Sequence, residues 1–180
     1  MFGLVLAGCA KSGEAVKSPV EKEQASARRE VRRAVDRLRD DVAQMERSPA
    51  LDQRDLVVAL RHAADALAAL PERDALDPRI LNIEDYADRI AQSAPSAKQQ
   101  SSWARSGLLE GAATLEQVAR SRGRTDMEPW LRAIRARAET IDPGKSIVEQ
   151  RQQLVAGFDE LAEATAYLGA QKPPESAPQG

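Results

Sequence analysis

Apolar residues recur along this chain at helical spacing, in six separate stretches. Val31, Val35, Leu38, Val42 and Met45 follow one another at intervals of 4, 3, 4 and 3 residues, which places them on one face of a 3.6-residue helix. A first helix is therefore expected from Glu21 to Arg47. The second is expected from Asp52, an N-cap residue type, to Leu70, with Leu56, Leu60, Ala63, Leu67 and Leu70 on its stripe. Asp77 followed by Pro78 reads as a capping acid and a proline at the first helical position, predicting a third helix that carries Ile80, Ile83, Ala87 and Ile90. Ser96 with Gln99 has the form of a capping box for a fourth helix, whose stripe is Leu108, Gly111 or Ala112, Leu115 and Val118 and whose stop is Gly123. A fifth opens around Thr125 or Asp126 and presents Met127, Leu131, Ile134, Ala138 and Ile141. A sixth follows Asp142, Pro143 and Gly144 with Ile147, Leu154, Phe158, Leu161, Thr165 and Leu168, interrupted by Arg151.

Six stripes joined by short, proline-marked turns predict an all-α protein, an antiparallel up-and-down bundle of about six helices. Composition agrees: Ala, at 32 residues, dominates the apolar set, and the strand-favouring aromatic and β-branched types are scarce. Leu60 to Leu67 faintly echoes Ile134 to Ile141, which permits two three-helix halves, although Ala and Arg are common enough here to produce the echo by chance. Gly107 and Gly111 lie one turn apart inside the fourth helix. Each costs about 0.8 to 1 kcal/mol against Ala in a helix, so close approach of a neighbouring helix is expected there, with a local break as the alternative.

The chain opens on an uncharged apolar run, residues 1–8, and switches to polar composition directly after its single cysteine, Cys9. Leu6, Ala7, Gly8 and Cys9 resemble the lipobox of bacterial lipoproteins. That resemblance implies a diacylglycerol thioether on Cys9, cleavage before it and acylation of the new N-terminus. Small residues beside the cut suit a peptidase that must admit extended backbone at a membrane surface. Eight residues without a basic group are short for a signal peptide, so further residues are expected upstream of Met1. The chain then divides into a signal remnant (1–8), a lipidated Cys9 with its linker (9–22), a helical domain (23–170) and a Pro-rich tail (171–180). Ala10 stands where such lipoproteins carry Asp when they are kept in the inner membrane. The resemblance therefore implies attachment to the outer membrane, facing the periplasm.

Charge narrows the functions. With 26 basic and 28 acidic groups the net charge is −2, which provides no general field for nucleic acid. The densest basic stretch, Arg28, Arg29, Arg32, Arg33, Arg37 and Arg39, is interleaved with Glu30 and Asp36 and followed by Asp40 and Asp41. It reads as a solvated, salt-bridged face, with a docking stripe for an acidic partner as the functional alternative.

One histidine and one cysteine exclude a carboxylate-bridged di-metal bundle, a tetrahedral zinc site, c-type haem attachment and an intrachain disulfide. Glu84, Asp85 and Asp88 are the nearest carboxylate cluster, but lack the loop spacing of a Ca²⁺ site. His62 stands one turn before Asp65, yet lies about 200° around the helix from Leu60. It is expected to face solvent, and His62→Ala to be nearly silent. Trp103 and Trp130, each one position off a stripe, are expected to roof the edge of the core, while Trp130 with Arg132 and Arg135 forms the alternative, a partner surface. No catalytic residue, metal or cofactor is assigned. The expected function is that of a lipid-anchored envelope protein acting as a non-enzymatic structural or interaction module for another envelope protein. The alternative is a bundle holding a small apolar ligand between its Ala-rich helices.

Overall fold

The computed structural model describes residues 18–71, 73–92 (backbone alone over 73–77) and 95–170. The expected signal remnant (1–8), Cys9, the expected linker up to residue 17 and the tail 171–180 lie outside the described residues. Six helices follow in order: α1 (Pro19–Arg47), α2 (Gln53–Ala68), α3 (Arg73–Gln92), α4 (Ala97–Ser121), α5 (Glu128–Thr140) and α6 (Arg151–Ala170), with a 3-10 turn at Thr125–Met127 before α5. Among the described residues there is no strand, and no helix is long and apolar enough to cross a membrane.

Each helix packs against its sequence neighbours, and α6 closes back on α1. Contacts between α1 and α6 run in opposite directions along the two helices: Arg151 bonds the Ser48 carbonyl, Arg39 meets Glu163 at 2.6 Å, and Val31 faces Gly169. The expected up-and-down arrangement is present. In addition, α2, α4 and α6 touch one another and run parallel, as the pairings Leu60 with Gly107, Leu108 with Gly157 and Leu161 with Gly111 require. These three are the inner helices and α1, α3 and α5 fill the outer angles. Burial follows position, for α2 buries both flanks (Leu56, Val57, Ala59, Leu60, Ala63, Ala64, Ala66, Leu67), whereas α5 buries only Leu131, Ile134 and Ala138. The echo between Leu60–Leu67 and Ile134–Ile141 thus joins an inner helix to an outer one. All six helices contribute to one continuous core.

Glycine explains how the inner helices come so close. A Cβ on Gly107 would stand 2.5 Å from a methyl of Leu60, and one on Gly111 would stand 2.9 and 3.1 Å from both methyls of Leu161. Close approach, and not a break, is why they sit inside α4, which is one uninterrupted helix. Gly123 plays another part, since its φ of +63° ends α4. Its amide donates to Arg120 O and that of Arg124 to Ala119 O, the two bonds of a Schellman motif.

α2 opens at the expected N-cap Asp52, which forms a capping box with Asp55, and α4 opens on the expected capping box of Ser96 and Gln99. Four starts differ, among them that of α5, which begins at Glu128 because Thr125–Met127 form a 3-10 turn where the sequence opens the fifth helix. Ser18 and Glu21 form a capping box that begins α1 at Pro19, two residues early. Pro78 is not the first residue of α3; it lies inside the helix, which begins at Arg73. The preceding Arg73, Ala75 and Leu76 are strong helix formers, and the turn they build costs the loss of a single amide donor at Pro78. The sixth helix begins only at Arg151, because residues 141–150 are turns tied by Gln150. Its buried side-chain amide accepts from Asp142 N at 2.5 Å and donates to Asp142 O at 2.9 Å and to Ser101 Oγ at 3.1 Å, pinning this loop to α4.

Candidate functional site

The turn between α4 and α5 concentrates polar and aromatic groups at one end of the bundle. Arg124, the residue after Gly123 in the Schellman turn, grips Asp126 through two bonds, at 2.7 and 2.5 Å, and its guanidinium lies 5.1 Å from the centre of the Tyr167 ring. Tyr167 Oη donates to the same carboxylate at 2.5 Å. Trp130 stacks against Tyr167, centroids 6.5 Å apart and planes 28° from parallel. Arg124 and Tyr167 together hold the Asp126 carboxyl well below the usual carboxylate range, and that carboxylate in turn raises the pKa of the Tyr167 phenol. Nearby, buried Arg122 donates to Leu168 O at 2.8 Å, satisfying a carbonyl in the last turn of α6. Arg124 and Asp126 stand two apart in an obvious turn, a signal the sequence offered; Tyr167 had none beyond its place beside Leu168.

Trp130 and Trp103 are half-buried against the core, as edge-roofing residues. The rest of the surface expected around Trp130 is dispersed. Trp130 leans toward α6, Arg135 pairs with Glu116 of α4 on the other flank of α5, and Arg132 is exposed beside Glu128 at 3.6 Å. These three residues do not converge.

His62 departs from expectation more clearly. Its side chain is only 28% exposed, and Nδ1 lies 2.5 Å from Oδ2 of Asp41, itself 18% exposed. Asp65, the carboxylate a turn away in sequence, instead pairs with Arg37 at 3.4 Å. The angle from Leu60 took His62 off one stripe, but α2 is an inner helix and its flank is covered by α1. Burial pushes the Asp41 carboxyl upward against the opposing effect of His62. Among the described residues its partner is this carboxylate of α1, so the pair ties α2 to α1.

Carboxylates of α3 are engaged in ion pairs, Asp85 with Arg89 at 2.7 Å and Asp88 with Arg61 at 2.8 Å. Among the described residues no three potential metal ligands come together. The basic stretch of α1 divides in two. Arg37 and Arg39 are paired across helices with Asp65 and Glu163, as a salt-bridged face requires. Arg28 and Arg32 line an open groove between α1 and α6, over Val31 and Val35 and beside Ala166 and Gly169. Comparison with protein-family models, curated proteins and solved structures found no match for this chain.

Proposed function

We propose that this chain is a bacterial lipoprotein, anchored through Cys9 to a membrane facing the periplasm, whose helical bundle acts as a non-enzymatic interaction module for an envelope protein. The observation that carries the reading is Leu6-Ala7-Gly8-Cys9 at the junction between apolar and polar sequence. The described surface is compatible with it: ion pairs join neighbouring helices, the aromatic groups at the α4–α5 turn are tied to one another, and α1 carries arginines, Arg28 and Arg32, without an acidic partner among the described residues. The outer membrane is the proposed location, from Ala10.

Its test is performed in cells, with a complete signal sequence in front of the chain. Wild type should sediment with membranes, resist extraction by salt and be released by detergent, while Cys9→Ser should lose that behaviour. Crosslinking of the anchored protein should recover one specific envelope protein. Equal membrane retention of Cys9→Ser, or crosslinking that captures abundant proteins indiscriminately, would contradict the proposal.

A further inference from the structure

We draw no further inference here: the strongest candidate, the groove between α1 and α6 lined by Val42, Glu46, Arg151, Val155, Ala156 and Asp159, carries charges of both signs, and nothing among the described residues shows what covers it.

Discussion

His62 and Asp41 meet in the seam between α1 and α2, where neither is well solvated, so removing one strands the other. His62→Ala should lower stability by about 1 to 2 kcal/mol, the cost of leaving a partly buried acceptor without its partner, read as a lower urea midpoint at unchanged slope. Adding Asp41→Asn should restore part of the loss. An unchanged midpoint would mean that the ring faces solvent after all. Asp126 poses the opposite electrostatic case. Because Arg124 and Tyr167 hold its folded pKa below the unfolded one, its contribution is whole above the ordinary range near about pH 4 and is lost as pH falls through that range toward the folded value. Asp126→Asn should remove that dependence. Its melting temperature should fall less between about pH 5 and about pH 2 than that of wild type, and parallel curves would contradict the assignment.

At the scale of the element, two substitutions separate helix propensity from context. Pro78 lies in the interior of α3 and is exposed. Pro78→Ala should therefore supply an amide donor and stabilise by about 1 to 3 kcal/mol, whereas a proline at the first helical position would yield almost nothing. Gly111→Ala should behave in the reverse sense. Ala gains about 1 kcal/mol of helix propensity, but its Cβ meets both methyls of Leu161, a residue 1% exposed whose fork has no room to turn. Overpacking of about 1 to 3 kcal/mol should prevail, leaving a net loss near 1 kcal/mol in chemical denaturation. A gain in stability would show that α4 and α6 can separate freely. These elements also mark how legible the helices were. Stripes such as Val31 to Met45 and caps such as Asp52 and Ser96 act locally, within one or two turns, and the chain displays them. Pro78 misled because proline in the first turn and proline one turn later present the same local sequence. Ile147 misled because an apolar residue in a turn held by Gln150 falls in phase with the helix that follows.

For the whole molecule, periodicity revealed how many helices there are but not which of them lie inside. The inner position of α2, α4 and α6 emerges from contacts between residues far apart in sequence, such as Leu60 with Gly107 and Leu108 with Gly157. For the same reason the His62 seam and the Tyr167 cluster were not visible beforehand, whereas the spread of Trp130, Arg132 and Arg135 follows from their spacing on one helix, about 200° and 140° around α5 from Trp130. Cys9 is the residue on which the proposed function rests. Stable attachment requires two or more acyl chains, since each buried methylene contributes about 0.8 kcal/mol and one chain alone is marginal. The most direct test is the intact mass of the protein purified in detergent from cells that make it with its complete signal sequence. The expected product is a chain beginning at Cys9 and carrying the mass of a diacylglycerol group with a further acyl chain. A chain that retains the residues before Cys9 and bears a free thiol there would contradict the lipoprotein assignment.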